Sequence, residues 1–153
     1  MRTNRLIFML ITSLLVGCSS NAPSIQPHVR LVYLDVSSYE SNKDYQQMLE
    51  LINQSAKAIN ERNSKAFFEL FSDKIENSKK LALSNYDYQV TTLETKFLKL
   101  DRPTFENTTT DPSKMNVTIT VEYLEKDSKD MKKESRIYYF QKADNKWVIA
   151  YID

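Results

Sequence analysis

Few side chains in this sequence can do chemistry. Cys18 is the only cysteine, His28 the only histidine and Gly17 the only glycine among 153 residues. A Ser-His-Asp triad needs an imidazole within hydrogen-bond reach of its nucleophile, but His28 lies near the front, in the proline-containing stretch Ser19 to His28 (SSNAPSIQPH). Catalytic zinc usually draws on histidine or cysteine. Phosphate loops and dinucleotide turns need glycine where backbone meets phosphate. The sequence therefore predicts no catalytic residue, no metal site and no cofactor. What remains is one thiol, the carboxylates and nine tyrosines. Asp87, Glu94 and Glu122 are candidates for an unaided acid or base. Asp87 and Glu122 fall opposite the apolar parity of their segments, which points them at solvent. Asp127 and Asp130 lack the glycine and ligand spacing of a calcium loop. Tyr86, Tyr88, Tyr123, Tyr139 and Trp147 could line an apolar pocket with polar tips, suited to a lipid, peptide or glycan fragment. The competing reading makes them core or half-buried sheet positions.

The thiol has a telling context. Arg2 and Arg5 precede Leu6 to Val16 (LIFMLITSLLV), an apolar stretch of eleven residues. As a helix it would cover about 16 Å, roughly half a bilayer's hydrocarbon core. That length suits a signal peptide and not a span. Leu15-Val16-Gly17-Cys18 then resembles the bacterial lipobox, with apolar, small and small residues before an obligatory cysteine. The resemblance implies diacylglyceryl transfer to Cys18, cleavage of residues 1–17, and acylation of the new N-terminus. Two or more acyl chains anchor stably, at about 0.8 kcal/mol per buried methylene. The expected partner of Cys18 is thus the membrane of a bacterial cell envelope, held through acyl chains. Ser19 resembles the outer-membrane sorting rule. In a host with two membranes it implies an outer-membrane protein facing the periplasm.

Residues 18–41 read as the lipidated cysteine, a tether and one further segment. Ser19 to His28 is small, polar and flexible, with a reach of roughly 33 Å. Val29 to Val36 (VRLVYLDV) is either an added edge strand or a segment packed on the core.

Residues 42–153 read as the domain. Ser41 and Asp44 resemble a capping box. Tyr45, Met48, Leu49, Ile52, Ala56 and Ile59 follow at helical spacing. Ser64 can cap a second short helix holding Phe67, Phe68, Leu70 and Phe71. A third helical piece, with Ile75, Ala82 and Leu83 inward, ends near Ser84-Asn85. Tyr86, Tyr88 and Val90 alternate as a strand whose phase slips before Leu93, Thr95 and Phe97, which predicts a bulge. Asp101 to Ser113, with two prolines, reads as a loop. Met115 to Tyr123 is the clearest strand, followed by a charged connection. Glu134 to Lys142 and Lys146 to Ile152 are joined by Ala143-Asp144-Asn145, where Asp and Asn tolerate left-handed conformations.

Helices first and strands after predict an α+β fold, with N-terminal helices packed on a curved four-stranded antiparallel sheet. The order resembles the NTF2-like and cystatin-like superfamily. Ala58 to Ser72 (AINERNSKAFFELFS) resembles its front helices, and Asp144 to Ile152 (DNKWVIAYI) its final hairpin strand. Fold alone does not choose a function. The 21 basic and 20 acidic residues nearly cancel, which offers nucleic acid no electrostatic footing. Three functions fit. The first is a non-catalytic envelope lipoprotein that binds an envelope protein or a small apolar ligand. The second is an NTF2-like isomerase or hydrolase. The third is an immunity or inhibitor lipoprotein.

Overall fold

A computed structural model describes residues 30–107 and 110–153. Leu15, Val16, Gly17, Cys18 and the tether lie outside the described residues.

Helix α1 spans Lys43–Asn60 and buries Met48, Leu49, Ile52, Ala56 and Ile59, the stripe its spacing predicts. Its cap is Asn42, one residue past the expected Ser41. The Asn42 Oδ1 accepts the Tyr45 N–H at 3.2 Å. Helix α2, Ser64–Phe68, is likewise capped by Asn63 rather than Ser64, through the Ala66 N–H at 3.1 Å. Helix α3 spans Ser78–Asp87 and runs directly into a π-helical turn, Tyr88–Thr92. Within α3, Ala82 is buried as expected, but Leu83 faces solvent.

Four strands follow: β1 Lys96–Glu106, β2 Lys114–Leu124, β3 Lys132–Ala143 and β4 Lys146–Ile152. They form one antiparallel sheet in sequence order, β1-β2-β3-β4. On β2 the alternating Val117, Ile119, Val121 and Tyr123 are buried against the helices. Asp144 and Asn145 form the two-residue turn between β3 and β4, with φ of 51° and 62°. Positive φ at both positions is what the twist of a tight hairpin demands.

Two expectations are corrected. Tyr86 to Val90 is helical and not a strand. Tyr86 packs its ring on Phe67 and Phe68, with centroids 5.2 and 5.7 Å away. Burying Tyr86 and Gln89 together, three residues apart, requires a helical turn, and that packing overrides the β propensity of a short Tyr/Val run. The apparent phase slip is the passage from π turn to β1, where Glu94 takes φ 47°. Asp101 to Ser113 is also only partly a loop, because β1 continues through Glu106. Pro103 is tolerated there because β1 is an edge strand, and a bulge at Arg102, φ 53°, absorbs the irregularity. Phe105 then stacks on Tyr45 at 3.8 Å.

The stretch before α1 combines both of its expected forms. Val32 makes a single parallel bridge beside Lys99, donating to the Leu98 carbonyl and accepting from the Leu100 N–H, both at 2.9 Å. Leu31 and Leu34 join the core. Two asparagines on α1 tie helix to backbone. Asn53 accepts from the Leu34 N–H at 2.9 Å and donates to its carbonyl at 3.0 Å. Asn60 does the same for Phe97 of β1, at 2.8 and 2.9 Å.

Candidate functional site

The inward face of β3 carries Arg136, Tyr138 and Phe140. A guanidinium on a core parity is costly unless its charge is met. Arg136 is 6% exposed. Its Nη2 donates to Glu134 Oε1 at 2.6 Å, and the guanidinium lies 5.0 Å from the Phe97 ring centroid. Glu134 Oε2 accepts from the Tyr123 hydroxyl at 2.9 Å. Tyr138, buried behind Arg136, shares a 3.1 Å hydrogen bond with Ser55 of α1. Among the described residues, no other acceptor meets the remaining Arg136 N–H groups.

Opposite β3, the end of α3 and the π turn supply Asn85 and Gln89. The π turn closes through the Leu93 N–H on the Tyr88 carbonyl at 2.9 Å. Such turns are frequent at functional sites, because the extra residue re-aims the side chains of the helix. Gln89 is 4% exposed, and its Oε1 has no hydrogen-bond partner. The Asn85 Oδ1 is likewise buried and unpartnered. Both residues line a cleft of about 340 Å³ with Glu134, Arg136 and Ile152, and Tyr88 stands on its rim, 52% exposed. Two buried acceptors without donors, each with almost no accessible surface, thus lie in the wall of the opening that the Arg136 guanidinium also lines.

The aromatic group expected from the sequence does not converge. Only Tyr88 lines the cleft. Tyr86 and Trp147 are core residues, and Lys142 Nζ lies 4.7 Å from the Trp147 ring. Tyr123 is core on its ring and reaches the cleft only through Glu134. Tyr139, adjacent to the inward Tyr138, points to the other face of the sheet and stacks on Tyr151 at 3.8 Å. The carboxylates are dispersed too. Asp87 is exposed, Glu94 pairs with Lys126 at 2.5 Å and Glu122 with Lys133 at 3.2 Å. No group of side chains able to hold a metal ion occurs among the described residues.

The isomerase alternative requires a hollow between helices and sheet, with a carboxylate of raised pKa. Phe67, Phe71 and Trp147 instead belong to one buried cluster with the sheet residues. The shifted carboxylates move the other way. Hydrogen bonds from Ser37, Lys99 and Ser113 hold Asp35, Asp101 and Asp111 below their ordinary range.

Burial, reinforced by the Glu134 contact, pushes the Tyr123 hydroxyl up to about 12. The ordinary tyrosine value is about 10. A raised folded-state pKa on an acid means the unfolded chain loses its proton first. Stability is therefore expected to fall as pH rises from 10 toward 12. Urea titrations across that range should show the decline, and Tyr123→Phe should make it shallower. An equal slope in the variant would remove Tyr123 as its source.

No protein-family profile matches the chain, and no curated protein matches it in sequence. Solved structures do resemble it. A domain of unknown function with a cystatin-like fold from Nostoc punctiforme aligns over 72% of this chain and 75% of its own, with TM-score 0.54 and 13% identity. A second cystatin-like protein of unknown function from the same organism covers 69% and 85%, with TM-score 0.53 and 7% identity. A putative calcium/calmodulin dependent protein kinase II association domain from Xanthomonas campestris covers 78% and 92%, with TM-score 0.52 and 16% identity. At these identities the likeness is one of fold. The chain has a cystatin-like α+β architecture.

Proposed function

We propose that this chain is a membrane-anchored envelope lipoprotein whose α+β domain binds a ligand or partner and does not transform one. The anchor rests on Leu15-Val16-Gly17-Cys18 behind a basic start and an apolar run too short to span. The binding role rests on the cleft beside Arg136, where buried Gln89 and Asn85 oxygens lack partners. Buried polar groups left unsatisfied cost stability, and a ligand that met them would recover that cost. In a host with two membranes, Ser19 directs the protein to the outer membrane, facing the periplasm.

Labelling with radioactive palmitate tests the anchor. The natural chain should take up label, lose residues 1–17 and sediment with membranes. Cys18→Ser should remain unprocessed and unlabelled. A Cys18→Ser protein that is trimmed and retained on membranes as before sinks the anchor.

A further inference from the structure

The cleft's chemistry specifies what it takes. The remaining Arg136 N–H groups seek acceptors, while the buried Asn85 and Gln89 oxygens seek donors. A simple anion answers only the first demand. Arg136 is moreover already neutralised by Glu134 at 2.6 Å, and Asp153 adds negative charge at the same opening. An apolar ligand answers neither demand. A short peptide could lie along the outer edge of β3 at residues 134–136, which β4 does not reach, but the side-chain pockets that would select it are lacking, since Ile152 is the cleft's single aliphatic side chain. A hydroxyl both donates and accepts, so a ring bearing several of them answers both demands at once. The exposed Tyr88 ring on the rim supplies an apolar face for the flat side of such a ring. At about 340 Å³ the cleft is at the small end of ligand sites, a size for one or two rings. We infer that the cleft between the π turn and β3 is a saccharide site, taking a neutral mono- or disaccharide unit of a glycan. This inference rests on reading the cleft as a binding site and is independent of the anchor.

Saturation-transfer difference NMR on the full chain, in dodecylphosphocholine micelles that carry no sugar headgroup, tests it. The probes are cellobiose and N,N′-diacetylchitobiose, with acetate, phosphate and trialanine as the contrasting classes. At least one disaccharide should receive saturation. Gln89→Met, which keeps the volume and removes the amide, should weaken that binding about tenfold or more. Its melting temperature should hold or rise, since an unpaired buried acceptor is gone. A structural glutamine would give the reverse, a lower melting temperature and unchanged transfer, and that result overturns the inference. Asn85→Ala serves as the second variant should Gln89→Met fail to fold. If acetate, phosphate or trialanine binds and the disaccharides do not, the saccharide class is wrong while the binding cleft stands. If no probe receives saturation, both fall.

Discussion

Asn60→Ala should lower unfolding stability by about 2–4 kcal/mol, more than any other single polar truncation on α1. Its side chain accepts from the Phe97 N–H at 2.8 Å and donates to the Phe97 carbonyl at 2.9 Å. Truncation removes both partners and leaves two partly buried backbone groups unmet. Each such group costs about 1–3 kcal/mol, and partial access of water reduces the sum. The site matters because Phe97 is buried in the core and carries Arg136 over its ring. Asn53→Ala breaks an equivalent pair of bonds to Leu34, but that segment is held by one bridge and can detach locally. Its cost should be about 1–2 kcal/mol, with earlier hydrogen exchange confined to residues near 31–34. Urea denaturation with an unchanged slope measures both. A loss below about 1 kcal/mol for Asn60→Ala would show that the helix and β1 hold together without this clamp.

Much of this architecture is legible in residue order because several signals coincide. In α1 the spacing of Tyr45, Met48, Leu49, Ile52, Ala56 and Ile59 is helical and nothing interrupts it. Strand β2 alternates without a break, and Asp144-Asn145 is one of few pairs that accept two left-handed residues in succession. Caps are legible only to within a residue. Ser41 and Asn42, or Asn63 and Ser64, are adjacent residues of similar capping strength, and local geometry chooses between them. The Tyr86 to Thr92 stretch is misread because alternation over five residues also fits one helical turn, and only the Phe67–Phe68 surface decides. The end of β1 is hidden by Pro103, which excludes a central strand but not an edge strand.

The cleft is less legible than the fold, for one physical reason. A site is built from two elements, and its sequence signal depends on the phase of both. Arg136 can be found, since it is a charge on the parity that carries Tyr138 and Phe140. Gln89 cannot, because once Tyr86 to Val90 is taken as a strand its amide falls on the solvent side. The same phase error groups Tyr86 with Tyr88, although one is buried and the other exposed. Tyr139 is excluded from the pocket by the inward parity of its neighbours on β3, which the sequence already contains.

Phe67→Ala should cost about 3–5 kcal/mol and also hollow the fold. Phe67 is fully buried and meets Phe71 at 5.1 Å and Tyr86 at 5.2 Å, ring centroid to centroid. Those rings tie α2 to the end of α3, while Phe71 bridges to Ile149 on β4. Partial collapse around the missing ring sets the cost within that range. The cavity left behind would be lined by apolar groups, stay dry and admit a small apolar molecule. Benzene should therefore raise the melting temperature of Phe67→Ala and leave that of the natural protein unchanged. Phe67→Leu keeps most of the volume and should lose under about 2 kcal/mol with little response to benzene. The comparison bears on function, because it asks whether the space between helices and sheet is closed by side chains or open to ligands. If the natural protein responds to benzene as strongly as the truncated one, the interface already holds a usable hollow, and an apolar ligand there regains its standing against a saccharide at the Arg136 cleft.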